Sequence, residues 1–244
     1  MTQFEAQVFQ NEYLPDGGDV IDAVVTVTAV EGGTEAVKQA AEVIEVIAVD
    51  VSGSMNEQGG AKIESARRAT IAAIDALRDG VLFAVIAGNH EAKALYPPYG
   101  RLVEATPQSR EEAKDAAKRI YADGGTAIGS WLRGARSLIE GHSDAIAHVI
   151  LLTDGRNEHE KPWELDAAIA DSVGLFECDC RGLGTNWEPD ELRKISNALL
   201  GTTDIIPHPS EMEAEFRKLT EQTMAKQVTN VCLLYTSPSP RDRG

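Results

Sequence analysis

Three short segments carry oxygen-bearing side chains at spacings that could hold a cation. The first is Asp50-Val51-Ser52-Gly53-Ser54, a carboxylate and two hydroxyls within five residues. The second is Asp123-Gly124-Gly125-Thr126, a glycine-rich stretch ending in a hydroxyl, and the third is Thr153-Asp154-Gly155. Taken one at a time, each has an ordinary explanation: Asp50 can form a turn, Ser52, Ser54 or Thr126 can cap a helix, and Thr-Asp-Gly can simply be a loop. Taken together they offer two carboxylates and three hydroxyls, all hard oxygen donors with no thiolate or imidazole among them. Such a set suits Mg²⁺, Mn²⁺ or Ca²⁺ and argues against zinc or copper.

For these donors to meet, the intervening chain must bring three loops to one place. Residues 43–49, apolar except for Glu45, read as a buried strand, and Asp50 stands at its carboxyl end. Residues 61–77 repeat apolar side chains at helical spacing. Residues 81–87 are a second strand, 88–90 a turn, and 92–96 an antiparallel edge strand. Helices are predicted over 110–120 and 127–139, placing Thr126 just before a helix. Residues 148–153 form a near-continuous apolar strand, with Asp154 at its carboxyl end. The pattern continues with a helix over 163–172, a strand over 175–182, a helix over 189–200, a short strand at 204–206, and a closing helix over 210–224 with Ser210 as its expected N-cap. Apolar strands alternating with helices predict a doubly wound α/β fold, Rossmann-like: a mostly parallel sheet with one antiparallel edge strand and helices on both faces. In such folds ligands sit outside the carboxyl ends of the strands, where Asp50 and Asp154 fall.

The order D-x-S-x-S, then Thr, then Asp resembles the von Willebrand factor A-type domain and its metal-ion-dependent adhesion site. All five motif positions are filled, by Asp50, Ser52, Ser54, Thr126 and Asp154. The resemblance covers residues 43–224 and is closest to intracellular bacterial members. It implies that Ser52, Ser54 and Thr126 touch a Mg²⁺ ion directly or nearly so, that Asp50 and Asp154 act mostly through water, and that a partner protein's Glu or Asp fills an outward position. The expected function is thus metal-dependent protein binding without catalysis. Two other readings stay open. One is a Mg²⁺ phosphohydrolase with Asp50 as nucleophile, although the position two residues on is Ser52, which has no carboxylate for acid–base work. The other is a purely structural ion. Asn89-His90-Glu91 and Asn157-Glu158-His159-Glu160 read as solvated loops, and Trp131, Trp163 and Trp187 as core.

Composition narrows the rest. The chain has 244 residues, 43% of them hydrophobic, enough for a full core. Its net charge of −16 disfavours a nucleic-acid partner and is compatible with cation binding or a basic patch on a partner. The first residues lack a basic stretch followed by an apolar run, and no apolar stretch nears the roughly 20 residues that cross a bilayer, so the expectation is a cytoplasmic chain without membrane contact. Of three cysteines, Cys178 and Cys180 share a predicted strand and read as buried free thiols rather than zinc ligands. Residues 1–34 read as an N-terminal β segment, the expected part of an interrupted β domain, that pairs with the main sheet or with strands lost at a truncated C-terminus. Residues 232–244 back-translate, in one reading, to the end of a sequencing-library adapter, and are expected to be a non-native tail.

Overall fold

The structure is a computed structural model that describes residues 3–10, 23–30, 42–184 and 187–225. The expected tail at 232–244, and with it Cys232, lies outside the described residues. The chain divides into two compact units, residues 1–40 and 41–244. In the first, β1 (Gln3–Gln10) and β2 (Ala23–Val30) pair antiparallel in a two-stranded sheet of their own, Gln3 opposite Val30 and Gln10 opposite Ala23.

The second unit is built on a seven-stranded sheet. Its strands are β3 (Val43–Asp50), β4 (Leu82–Gly88), β5 (Ala92–Tyr96), β6 (Val103–Glu104), β7 (Ile146–Thr153), β8 (Glu177–Leu183) and β9 (Thr203–Ile206). The spatial order is β5-β4-β3-β7-β8-β9, with β6 also pairing to β4. β3, β4, β7, β8 and β9 run parallel, and β5 and β6 are antiparallel to β4. The sequence predicted all of these strands except the two-residue β6.

Six helices cover the sheet: α1 (Ala61–Ala76), α2 (Pro107–Ala117), α3 (Ile128–Ile139), α4 (Pro162–Ala170), α5 (Pro189–Ala198) and α6 (Met212–Ala225). The alternation of β3 sorts the two faces. Val43, Ile47 and Val49 pack with Ile63, Ala66 and Ala73 of α1, Ala113 of α2 and Phe216 of α6. Ile44, Val46 and Ala48 pack with Trp131 and Leu132 of α3, Leu165 of α4 and Leu192 of α5. Every residue of β3 and of β7 is buried, which is why both read as mostly apolar, broken only at Glu45 and His148 before their carboxyl ends, rather than as alternating strands.

Two helix starts differ from the sequence expectation by more than one residue. α2 begins at Pro107, three residues early, because Thr106 and Ser109 form a reciprocal capping box and Pro107 occupies the first turn, where its missing N–H costs nothing. Ser210 is not the N-cap of α6; it lies in a 3₁₀ turn, Pro209–Glu211, that precedes the helix. Among the described residues no helix is long and apolar enough to cross a membrane.

Candidate metal centre

The position of the centre follows from strand order. From β3 the chain crosses to β4 on one side, then returns to β7 on the other. The carboxyl ends of β3 and β7 are therefore adjacent, with Val49 opposite Leu152, and the connections leave them in opposite directions. That is the crevice where a parallel α/β sheet takes its ligand.

After Asp50 the chain turns through a 3₁₀ segment, Gly53–Asn56, which is anchored by the fully buried Met55. Gly59 and Gly60 then take positive φ (69° and 82°), a conformation costly for other residues, and send the chain into α1. Backbone bonds tie this loop to its neighbours. Val51 N–H donates to Gly88 O (2.8 Å), Gly53 N–H to Gly124 O (2.9 Å), and Asp123 N–H to Val51 O (2.7 Å). The loops carrying Ser52, Ser54 and Thr126 are thus held together before any side chain is considered.

The side chains form a connected set. Asp50 is fully buried. Its Oδ1 accepts from Ser52 N–H at 2.7 Å, and its Oδ2 accepts from the Thr153 hydroxyl at 2.6 Å. Ser52 Oγ lies 2.9 Å from Ser54 Oγ, and Ser54 Oγ donates to Asp154 Oδ1 at 2.6 Å. Thr126 joins them across Gly155: a Cβ placed on that glycine would lie 3.2 Å from Thr126 Oγ1 and 3.5 Å from Ser54 Oγ. Ser52, Ser54, Thr126 and Asp154 line a cleft of about 400 Å³, rimmed by Arg156, Glu158 and His159. Asp50 stands behind it.

Burial pushes the Asp50 carboxyl up to about 6. Hydrogen bonds from Ser52 and Thr153 oppose the rise, and the Asp154 charge adds to it. On the other side, Lys62 Nζ donates to Asp154 Oδ2 at 2.6 Å and to Glu57 Oε2 at 3.0 Å. Burial works against the charged amine, but its bonds to Asp154 and Glu57 outweigh that and hold it above its ordinary range.

The donor set fits a small hard cation. Ligands 2.0–2.1 Å from an octahedral Mg²⁺ stand about 2.9 Å apart along an edge, which is the Ser52–Ser54 hydroxyl separation. Gly155 leaves open the space in front of Ser54 and Thr126 that a side chain would crowd. Among the described residues no three His, Cys, Asp or Glu side chains gather as a metal-holding group, so any ion here depends on the hydroxyls.

Residues 46–157 match the family model described as von Willebrand factor type A domain. The chain carries a von Willebrand factor type A domain. A solved von Willebrand factor type A structure from Catenulispora acidiphila is 45% identical with a TM-score of 0.81, over 93% of this chain and 51% of that one. An uncharacterized protein of Synechocystis is 32% identical over 194 residues, 77% of this chain and 43% of that protein. The bovine inter-alpha-trypsin inhibitor heavy chain H4 is 27% identical over 202 residues, 79% of this chain and 21% of that protein. The chain thus spans about half the length of the first two relatives and much less of the third.

Several residues of this type A domain that matter to the cleft were not singled out from sequence. The sequence places Lys62 inside the helix over 61–77 and Thr153 in the Thr153-Asp154-Gly155 segment, with no role at the cleft assigned to either. In the stretch 157–160, expected to be solvated, Glu158 and His159 are exposed at the cleft rim as expected, whereas Asn157 and Glu160 are half-buried against α3. Asn157 Oδ1 accepts from Ile128 N–H (2.8 Å) and Glu160 Oε1 from Gly129 N–H (2.6 Å), so the two cap the first turn of α3. His159 Nδ1 faces Thr126 N–H at 3.2 Å, and His159 N–H donates to Thr126 O. Asn89 is likewise buried. Its side chain bonds Asp123 O and Glu91 N–H, and its carbonyl accepts from Trp131 Nε1 at 2.7 Å. The free N–H groups at the start of α3 were the available signal, since Ala127 has no side-chain oxygen to satisfy them. Trp131 and Trp187 are buried as expected, but Trp163 is 65% exposed.

Proposed function

We propose that this domain is a divalent-metal-dependent protein-binding module. Ser52, Ser54 and Thr126 would hold one ion, Mg²⁺ or in its place Mn²⁺ or Ca²⁺, with Asp50 and Asp154 behind them. A partner protein would supply a Glu or Asp to complete the coordination, the bound ion acting as a Lewis acid toward that carboxylate. One observation carries the reading: Ser52, Ser54, Thr126 and Asp154 line a single open cleft, with Arg156 and Glu158 exposed at its rim, while Asp50 is withdrawn and hydrogen-bonded. A site with so little negative charge facing the ion leaves it short of anionic ligands, so a partner's carboxylate replaces water to advantage.

The phosphohydrolase alternative fits less well. Asp50 has both oxygens occupied by protein donors and no exposed surface, so neither is free to attack a phosphorus. Nucleic-acid partners are disfavoured by the −16 net charge.

Calorimetric titration with Mg²⁺ tests the metal step, and a pull-down with and without EDTA tests the partner step. The unaltered chain is expected to bind one ion per molecule. Ser52→Ala and Thr126→Ala, with unchanged melting in chelator, are expected to lose at least about tenfold in affinity, since each removes one ligand. Partner capture that persists undiminished in excess EDTA would count against the proposal.

A further inference from the structure

The geometry points to Lys62 as a built-in countercharge that holds metal affinity down and so raises the bound ion's demand for an outside carboxylate. The inference rests on the metal-binding reading above and deepens it.

Lys62 sits on the first turn of α1 and is 5% exposed. Its ammonium reaches back 2.6 Å to Asp154 Oδ2, while Asp154 Oδ1 takes the Ser54 hydroxyl. Two consequences follow. First, the ammonium cancels the charge of one of the two carboxylates at the centre, and does so in a buried place where solvent screens little. Second, it fixes Asp154: with one oxygen tied to Lys62 and the other to Ser54, that carboxylate cannot swing to chelate an ion with both oxygens. Of the two carboxylates at the centre, a divalent ion entering here meets one uncompensated rather than two, while Glu158 and Arg156 face solvent together at the rim. It binds less tightly and keeps more of its positive charge for whatever approaches through the cleft. Glu57, the second partner of Lys62, tempers the effect from a position where 56% of its side chain meets solvent.

The signs of the effects are therefore opposed. Neutralising Lys62 should tighten the metal and loosen the carboxylate, whereas a residue that merely supports the fold would weaken both. MnCl₂ titrated calorimetrically into the full chain reads the first effect. Acetate titrated into the Mn²⁺-loaded chain, followed by water-proton relaxation, reads the second. For Lys62→Gln and Lys62→Met, Mn²⁺ should bind at least about fivefold more tightly, because a fixed charge a few ångströms from a divalent ion is worth about 1 kcal/mol or more even at high dielectric. Acetate should bind them more weakly. Lys62→Arg, which keeps the charge, should stay near the unaltered chain, and Glu57→Gln, which leaves Lys62 less compensated, should weaken Mn²⁺.

Equal or weaker Mn²⁺ binding by Lys62→Gln and Lys62→Met, with melting that shows them folded, overturns the inference. If neither folds, Glu57→Gln decides, and unchanged or tighter Mn²⁺ binding there overturns it. Failure of the unaltered chain to take up Mn²⁺ at all removes the metal-binding reading itself, whereas uptake indifferent to Lys62 removes only this inference.

Discussion

Asp50 is the residue at which stability and the proposed function pull apart. A carboxylate with no exposed surface is held by two hydrogen bonds, and burial still pushes it up to about 6. Keeping it ionised in the metal-free fold costs free energy that a nearby divalent ion would return. Asp50→Asn keeps the shape and removes the charge. Its Oδ1 can still accept from Ser52 N–H, and the Thr153 hydroxyl can turn to accept from the new amide while donating toward Gly155 O, 3.3 Å away. In chelator, Asp50→Asn is expected to melt no lower than the unaltered chain, and higher by about 2 °C or more if 1 kcal/mol of the buried-charge cost is relieved. It should also lose its Mg²⁺ response. Differential scanning calorimetry with EDTA and with Mg²⁺ reads both, and a large drop in chelator would show that the carboxylate stabilises the fold for its own sake. The five side chains brought together here, Asp50, Ser52, Ser54, Thr126 and Asp154, were legible in the sequence because each follows a strand or precedes a helix at a recognisable spacing. Lys62 was not, because a lysine at the start of a helix usually faces water, and only the folded chain brings Asp154 within its reach.

At the scale of elements, β3, β7 and β8 are joined by a polar contact as well as by their ladders. Glu45 is opposite His148 in register, and His148 Nδ1 lies 2.9 Å from Glu45 Oε1. His148 Nε2 lies 3.0 Å from Asp179 Oδ2 on β8, and Asp179 Oδ1 accepts from the N–H and hydroxyl of Thr202. Burial alone would push the imidazole down, but the Glu45 charge and the bonds to Asp179 and Glu45 carry it up to about 9. Asp179 is held below the ordinary carboxylate range, its bonds from His148 and Thr202 outweighing the burial that would raise it. A histidine raised in the folded state contributes stability that is complete below its unfolded value of 6.5 and is lost as pH climbs through about 9. Melting temperature should therefore fall between pH 7 and pH 10, and His148→Gln should flatten that fall while lowering the melting temperature at pH 6. An unaltered slope in His148→Gln would show that the imidazole is not the group responsible. The sequence showed three apolar strands here and gave no sign of the contact. Glu45, His148 and Asp179 each interrupt an apolar run, but pairing them needs the strand order β3-β7-β8, which no local pattern contains. The same holds for Asn157 and Glu160. Their role as caps of α3 depends on a loop from one strand's end meeting a helix start about 30 residues earlier in the chain.

At the scale of the molecule, the doubly wound sheet does most of the positioning. The fold class was readable because strands buried on both faces are largely apolar and alternate with the helices that cover them. The edges were less readable: β6 has two residues, and the capping box of α2 outweighs its weak apolar periodicity. Once β4 and β7 flank β3, the loops after β3 and β7 have to share a rim, and the glycine-rich loop before α3 is tied to the first by Gly53 N–H and Asp123 N–H and to the second by His159 N–H. The account stands on those loops forming one cation pocket. Crystals grown in MnCl₂, with anomalous differences collected at the manganese edge, test that most directly. The account predicts one strong peak in the cleft, within bonding distance of Ser52 Oγ, Ser54 Oγ and Thr126 Oγ1. A map with no peak there, or with manganese held only by surface carboxylates elsewhere, would contradict it.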